Sequence, residues 1–379
     1  MRHNMAEFAR TAARLPTRNG NSRLKSTARS RWHARCVCAR AVQPRRASGP
    51  NQGAGSMRFP GPFLAVALCL AISAAHAAGV QFIEIPPISG GSALTGAVWY
   101  PCPIPPTAIK VGHITLAASK DCPVAGEKLP LVVISHGFGG KFTSHRDTAA
   151  TLADAGFVVV AINHPVDSGP DMSRACTSAV LTERPRDIGR VIDYMSAAWP
   201  DRSRLDLDRI GFFGFSRGGY TGLVAIGGKP DPGTGFALCP SGERPGDIPP
   251  DAFLNDPRIK AAVIADPGYG PMFTPESLRD VSVPIQLWAS QFSAEDRVGV
   301  TTEYVVSVGR NLPVKPDYHL VVDAGHFAFL TPCPAELIAS LPKLCADRPG
   351  FDRVAFHRDF DAAVLAFFRE RLPGRVTSD

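Results

Sequence analysis

A serine flanked by glycines is the feature that most restricts what this chain can fold into. Residues 214–218 read GFSRG and lie between an apolar, β-branched and aromatic run at 208–215 and a segment at 219–226 that can form a helix. A serine held in a sharp turn from a strand to a helix needs neighbours without Cβ atoms, because the backbone closes tightly there. The pattern therefore predicts a nucleophile elbow with Ser216 at its tip.

Other motifs of the sequence could complete a catalytic site around such a serine. The glycine-rich run HGFGG at 136–140 follows the apolar run 129–134, and His326 follows another apolar run at 318–322. Two aspartates, Asp266 and Asp296, lie between the serine and the histidine along the chain. A serine, an acid and a histidine in this order, with a glycine-rich loop that offers backbone N–H groups, are the parts of a serine hydrolase.

The sequence leaves the acidic partner of His326 open. Asp266 directly follows the apolar run 260–265, where the end of a strand would hold it rigidly, and we favour it for that reason. Asp296 lies beyond the next predicted strand in a longer segment and is the alternative, with Glu295 as a weaker one.

The N-terminal region differs in composition from the rest of the chain. Residues 1–56 contain 12 Lys and Arg residues against the single acid Glu7. Arg58 and the apolar run 63–72 then precede Ala75-His76-Ala77, which fits the small-residue cleavage site of a secretory signal. We divide the chain into a basic extension that is disordered or non-native, a signal peptide and an α/β-hydrolase catalytic domain, at 1–56, 57–77 and 78–379.

The positive charge of the chain resides in this N-terminal part. After cleavage behind Ala77 the chain would hold 28 Lys and Arg against 33 Asp and Glu, so the formal net charge of +7 becomes about −5. Residues 1–56 have few aromatics and no clear helical periodicity, so we expect no nucleic-acid partner, with a basic arm for nucleic acid or membrane as the alternative. The run 63–72 is shorter than the roughly 20 residues that span a bilayer, so we expect no stable membrane span.

Cysteine usage agrees with export. Six of the nine cysteines lie beyond Ala77, an even number that suits disulfide bonds in an oxidising compartment, although buried free thiols are the alternative. The mature chain has no C-x-x-C pair, so neither a zinc ribbon nor a thioredoxin-like site is expected. Proximity along the chain favours, among the possible connectivities, the pairs Cys102–Cys122, Cys333–Cys345 and, as the remainder, Cys176–Cys239.

Strand and helix signals alternate along residues 78–379. Helical periodicity is clear in 187–199 and in the C-terminal run 356–367, whose apolar residues recur at spacings of three and four. The predicted fold class is α/β, with a mostly parallel, doubly wound, eight-stranded sheet and helices on both faces. The strands are predicted near 81–85, 94–100, 130–135, 157–162, 209–214, 260–265, 284–289 and 318–322.

Two segments break this alternation, at 166–180 and 227–257. Both are rich in Pro, Gly, Asp and Ser, and each holds one cysteine of the third pair. Ligands bind at the carboxyl ends of the strands in a doubly wound sheet, so we expect these segments to be loops over the catalytic face. They are either lids and substrate walls or surface excursions joined by a disulfide bond.

Five runs of the sequence match a known family. They are VVISHGFGG at 132–140, TLADAGFVVVAINHP at 151–165, ERPRDIGRVIDYM at 183–195, DRIGFFGFSRGG at 208–219 and DAGHFAFL at 323–330. Together they span nearly all of the mature chain, and they resemble the dienelactone-hydrolase and platelet-activating-factor-acetylhydrolase branch of the α/β-hydrolases.

The resemblance implies roles for named residues. It makes Ser216 the nucleophile and His326 the general base and then acid, with the N–H groups of Phe138 and Arg217 as the oxyanion hole. It also implies Asp266 as the acid, at the end of the sixth strand of the family's sheet. Ser293 stands where related sequences often have an acidic residue after the next strand, and this departure favours Asp266 over Asp296.

The sequence therefore predicts an exported serine hydrolase, periplasmic or secreted, that cleaves a small-molecule ester or lipid-like substrate through an acyl-enzyme intermediate. The reaction needs neither a metal nor an organic cofactor. A peptidase or amidase of the same fold and a non-catalytic binding module are the alternatives.

Other conspicuous residues have structural interpretations. His136 is interpreted as ordering the glycine-rich turn, and His164 is interpreted as structural or pocket-lining. A dinucleotide loop is rejected because Phe142 stands where G-x-G-x-x-G needs its last glycine.

We expect the exported protein to begin at Ala78, because signal peptidases cleave behind the A-x-A pattern. Expression from Met1 and, separately, from Met57, followed by N-terminal sequencing of the periplasmic or secreted fraction, checks this. An exported product that keeps residues 1–56 would contradict the signal-peptide interpretation.

Overall fold

The computed structural model describes residues 77–88, 91–169, 171–239, 244–246 and 248–374. The predicted extension and all but the last residue of the predicted signal peptide therefore lie outside the described residues. What is described falls within one compact unit of the chain. No helix in this part of the chain has the length and apolar character needed to cross a bilayer.

Ten strands of the described chain form one sheet. In chain order they are β1 (Ala77–Ile85), β2 (Leu94–Cys102), β3 (Thr107–Val111), β4 (Ile114–Lys120), β5 (Leu129–Ser135), β6 (Val158–Ile162), β7 (Leu205–Phe215), β8 (Ile259–Ala265), β9 (Ile285–Ser290) and β10 (Asp317–Val321). Their order across the sheet is β10-β9-β8-β7-β5-β6-β2-β1-β4-β3. The six strands from β10 to β6 run parallel, and β2 is antiparallel to both of its neighbours.

Helices cover both faces of the sheet. The described helices are α1 (Arg146–Asp154), α2 (Ala179–Ala197), α3 (Arg217–Ala225), α4 (Pro275–Leu278), α5 (Thr302–Asn311), α6 (Ala335–Ser340), α7 (Pro342–Cys345) and α8 (Arg353–Arg371). Apolar residues of α2, α3 and α5 pack into the core on one face, and those of α1 and α8 pack into the core on the other. The predicted doubly wound α/β fold is thereby confirmed.

The central strands are apolar on both sides because both sides are covered. Every residue of β5 and β6 is buried. Along β7, Ile210 and Phe212 enter the core beneath α2 and α3, whereas Phe213 and Phe215 enter the core beneath α1 and α8. This double burial explains why the runs read as near-continuous apolar sequence rather than as alternating apolar and polar residues.

The predicted number of strands was too low. The eight predicted strands all form, but the hairpin of β3 and β4 adds two more at the sheet edge. Most residues of β3 are exposed or half-buried, so its sequence lacks the strong apolar signal of the core strands. Gly112, whose φ is +60°, lies in the turn between the two strands. The hairpin joins the sheet through a short parallel register of β4 with β1.

The three disulfide bonds among the described residues are the predicted pairs. Cys102–Cys122 joins the end of β2 to the segment after β4, and Cys333–Cys345 closes the region of α6 and α7. Cys176–Cys239 joins the two long segments that break the alternation of strands and helices. The described residues of those segments form loops with short 3-10 turns, as predicted, except that α2 begins at Ala179, within the first segment.

We expect Gly218→Ala to destabilise the fold. A Cβ added at Gly218, in the first turn of α3, would lie 1.9 Å from the carbonyl oxygen of Ser135 at the end of β5. Two backbone segments would have to separate, which should lower the free energy of unfolding by at least about 2 kcal/mol. Gly246→Ala is the matched control, because a Cβ added there meets nothing within 4 Å. Urea unfolding of both variants checks this, and equal midpoints would show that the contact does not limit stability.

Candidate active site

Ser216 lies in a strained turn between β7 and α3. Its φ of 57° and ψ of −118° form a backbone conformation that residues with a Cβ rarely adopt. The turn closes so tightly that a Cβ added at Gly214 would lie 2.1 Å from the carbonyl oxygen of Gly218. Ser216 N–H donates to the Ala265 carbonyl at 2.9 Å, and its own carbonyl accepts from Gly268 N–H at 2.8 Å. The turn is therefore fastened to the end of β8.

Three side chains form a hydrogen-bonded chain at this edge of the sheet. His326 Nε2 lies 3.0 Å from Ser216 Oγ, and His326 Nδ1 lies 3.0 Å from Asp266 Oδ2. Ser216 follows β7, Asp266 follows β8 and His326 lies in the turn after β10, so the carboxyl ends of parallel strands bring them together. All three residues are buried.

Asp266 is held by the end of β9. The Ser290 N–H donates to Asp266 Oδ1 at 2.8 Å, and the Ser290 hydroxyl donates to Oδ2. With His326 Nδ1, three donors face a group that, as a carboxylate, only accepts hydrogen bonds. The carboxylate orientation is thereby fixed toward the imidazole. Sequence reasoning missed Ser290, because its contact depends on the pairing of β8 with β9.

Asp296 contacts the same histidine at a different atom. It lies in a 3-10 turn, Ser293–Asp296, and its Oδ2 accepts the backbone N–H of His326 at 2.5 Å. Burial raises the pKa of Asp296 above its ordinary value, against the opposing effect of that N–H donor. Glu295, the weaker alternative, forms an ion pair with Arg348. The structure therefore places Asp266 at the imidazole ring and Asp296 at the backbone of His326.

The residues predicted to form an oxyanion hole lie beside the serine. A Cβ added at Gly137, in the loop after β5, would be 3.1 Å from Ser216 Cβ. The guanidinium of Arg217, the first residue of α3, lies 4.3 Å from the centre of the Phe138 ring. The two residues whose N–H groups were predicted to bind an oxyanion thus contact each other through their side chains.

A buried ionic cluster lies beneath this loop. Asp167 accepts from Arg184 through Oδ1 and from Arg217 through Oδ2, the latter at 3.0 Å. Arg184, with no exposed surface, also donates to the Ser135 hydroxyl at 3.2 Å and to the carbonyl of His136. Burial opposes ionisation of Asp167, but the charges of Arg184 and Arg217 outweigh it and hold its pKa below the ordinary value. The cluster fixes the start of the glycine-rich loop.

His136 and His164 belong to this support rather than to the serine. His136 Nε2 accepts the His164 backbone N–H at 3.1 Å, so its Nδ1 carries the proton and donates to the Gly137 carbonyl at 2.7 Å. Burial, followed by the charge of Arg184, lowers the pKa of His136 well below its ordinary value. His164 lies between the Ser135 hydroxyl at 2.9 Å and Asp187 at 3.0 Å.

Arg217 connects the serine turn to the two disulfide-linked loops. Its guanidinium donates to the carbonyls of Ala175 at 2.5 Å and Leu238 at 2.8 Å, next to Cys176 and Cys239. The loops therefore reach the residue that follows Ser216, at the catalytic face as expected. No sequence signal indicated that the Arg217 side chain would turn inward to hold them.

Part of the chain is similar in sequence to known proteins. A profile of the family described as platelet-activating factor acetylhydrolase, isoform II, matches residues 105–198. A Bradyrhizobium protein named probable 2-oxo-3-(5-oxofuran-2-ylidene)propanoate lactonase is 33% identical over 106 residues, 27% of this chain. The aligned stretch spans 43% of that lactonase, less than half of its length.

The chain is also similar to solved structures. A ferulic acid esterase from Streptomyces cinnamoneus superposes with a TM-score of 0.57 at 19% identity, over 82% of this chain and 94% of the esterase. A dienelactone hydrolase from Anabaena variabilis gives a TM-score of 0.47 at 15% identity, over 78% of this chain and 100% of that chain. The strand order, the serine turn and the esterase superposition show that the chain has the α/β-hydrolase fold, and the family profile shows its similarity to platelet-activating factor acetylhydrolases over residues 105–198.

Proposed function

We propose that the chain is a serine hydrolase that cleaves carboxylic esters through an acyl-enzyme intermediate. The observation that carries the proposal is the hydrogen-bonded series from Ser216 Oγ through His326 to Asp266. A serine hydroxyl is a weak nucleophile unless an adjacent base removes its proton, and a third group must orient that base. All three parts are present, with heavy-atom distances suited to proton transfer.

The proposed mechanism gives each of these atoms a role. His326 Nε2 removes the proton of Ser216 as Oγ attacks the ester carbonyl carbon, and His326 then returns that proton to the leaving alcohol. Water attacks the acyl-enzyme in a second round of the same steps. Asp266 holds the Nδ1–H tautomer of the neutral ring and stabilises the imidazolium that forms between the steps.

The oxyanion is held by two backbone N–H groups, of Phe138 and Arg217. Removing one such donor in a comparable site costs about 2.7–4 kcal/mol of transition-state stabilisation. The buried cluster around Asp167 and the contact between Phe138 and Arg217 support this arrangement, because donors aimed in advance need no reorganisation during the reaction.

The substrate is proposed to be a small-molecule ester, lipid-like or cyclic. Phe138 is 52% exposed beside the serine turn, and its ring offers an apolar surface for one substituent of the ester. The Bradyrhizobium relative is named for a lactone, which is a cyclic ester and is open to the same attack. Hydrolysis of nitrophenyl esters of increasing acyl length and of simple lactones would define the preferred class, and the matched nitroanilides, which are amides, would separate it from cleavage by a peptidase.

The N-terminal interpretation also remains a proposal. We infer that residues 78–379 form the catalytic domain of an exported, periplasmic or secreted enzyme. The three disulfide bonds support an oxidising compartment.

Ser216→Ala should abolish ester hydrolysis while the fold is retained, because the substitution removes only the reacting oxygen. We expect turnover to fall by more than about 100-fold, since loss of the nucleophile in a comparable triad costs far more than this. Ser277→Ala is the matched control. It also removes one serine hydroxyl, but that hydroxyl donates to the Thr274 carbonyl beside α4 and not to a residue of the proposed site. Nitrophenyl ester assays, fluorophosphonate labelling and circular dichroism give the result. Activity above one hundredth of wild type would exclude Ser216 as the nucleophile.

Asp266→Asn should cost far more activity than Asp296→Asn. An Asn at 266 that keeps its oxygen toward Ser290 N–H presents an NH₂ group to His326 Nδ1 and stabilises the wrong tautomer, so kcat should fall by about 10⁴-fold. An Asn at 296 still accepts the His326 backbone N–H through its oxygen, so we expect a loss within about tenfold.

Steady-state kinetics of both variants decide between the two aspartates. A large loss of kcat in Asp296→Asn, together with nearly full kcat in Asp266→Asn, would reverse the assignment of the acid. Equal, small losses would leave His326 without an essential acidic partner and would contradict the proposed mechanism.

A further inference from the structure

A second cluster of ionisable side chains lies outside the serine site. Asp147 is on α1, whereas His357 and Asp361 lie one turn apart on α8. One potential ligand atom of each residue lies within 4.8 Å of the other two. A surface cavity of about 570 Å³ is lined by all three residues, which gives an ion or water access to them. The proposed hydrolysis uses none of these side chains.

His357 has the arrangement of a metal ligand. Its Nε2 lies 2.8 Å from the Ala328 carbonyl oxygen, which only accepts, so Nε2 carries a proton. Its Nδ1 is buried and lies 2.7 Å from Asp147 Oδ2, and no hydrogen bond of acceptable geometry satisfies it. A ligating histidine characteristically donates its other ring N–H to a carbonyl or carboxylate, which leaves a lone pair directed at the metal.

The two carboxylates are oriented by threonines. Asp147 Oδ1 accepts from the Thr148 N–H at 2.9 Å and from the Thr331 hydroxyl, which leaves Oδ2 on the side of His357. Asp361 Oδ1 accepts from the Thr148 hydroxyl at 2.6 Å. Hydrogen bonds of this kind to ligating carboxylates are typical outer-shell contacts of metal sites.

We propose that Asp147, His357 and Asp361 bind one divalent transition-metal ion, for which Zn²⁺ is the suitable probe. One imidazole nitrogen and two carboxylate oxygens suit a borderline ion such as Zn²⁺ or Mn²⁺, whereas Ca²⁺ and Mg²⁺ prefer oxygen ligands alone. Water from the cavity completes the coordination.

The role of the ion is structural. It joins α1 to α8, and through the bond from His357 to Ala328 it braces the turn that carries His326. The unfolded chain lacks the preformed site, so the bound ion stabilises the fold. The competing occupant of the cluster is a proton on Nδ1, which would pair His357 with Asp147 and leave no place for the metal.

The test compares zinc binding by the full chain, without an affinity tag, with binding by Asp361→Asn and Asp359→Asn. Asp359 lies on the same helix between His357 and Asp361 and is exposed, so its variant changes the charge equally and keeps the cluster. Histidines and cysteines within residues 1–76 can also bind zinc, so the difference between variants is the readout rather than the total.

After EDTA treatment and dialysis, we expect wild type and Asp359→Asn to bind one more equivalent of Zn²⁺ than Asp361→Asn by titration calorimetry. Saturating Zn²⁺ at about 100-fold above Kd should raise Tm by roughly 5 °C in the first two proteins and not in the third. Equal stoichiometry in all three proteins, or no zinc-dependent rise of Tm in wild type, would overturn the proposal. If Asp361→Asn does not fold without metal by circular dichroism, His357→Gln replaces it with the same expected loss.

Discussion

The close approach of backbone segments around Ser216 is the constraint on which the rest of the structure depends. Besides the contact of Gly218 with Ser135, a Cβ added at Gly219 would lie 2.8 Å from the Cα atom of Pro267. The start of α3 is therefore packed closely between the end of β5 and the loop that follows β8. A residue in a strained conformation such as that of Ser216 persists only where its surroundings over-determine it, and these contacts supply that determination.

Most of the fold could be predicted because its central strands are buried on both faces. Double burial gives long apolar runs, and such runs are the clearest signal a single sequence offers. The β3–β4 hairpin lacks that signal, because an exposed edge strand needs apolar residues on one side at most. The start of α2 at Ala179 was hidden for another reason. Its first turns include Pro185, a residue with a low intrinsic preference for helix interiors, and tertiary packing overrides that local preference.

The meeting of Ser216, Asp266 and His326 follows from strand order, so the sequence was sufficient to expect it. The sequence favoured Asp266 but left Asp296 open, and the structure brings both carboxylates within hydrogen-bond reach of one histidine. Only the atom contacted distinguishes them. The inward turn of Arg184 and Arg217 toward Asp167 was equally hidden, since arginine is usually exposed and its burial depends on partners far away along the chain.

The bonds from Arg217 to the carbonyls beside Cys176 and Cys239 have a consequence for how a protein of this fold can diversify. Both contacts are made by loop backbone, so they do not depend on which side chains the loops carry. The two loops, linked by their disulfide bond, can therefore change sequence together and remain attached at the same point. For the proposed ester hydrolase, transplanting the linked loop pair from a relative is thus a way to vary the surroundings of Ser216 on an unchanged sheet.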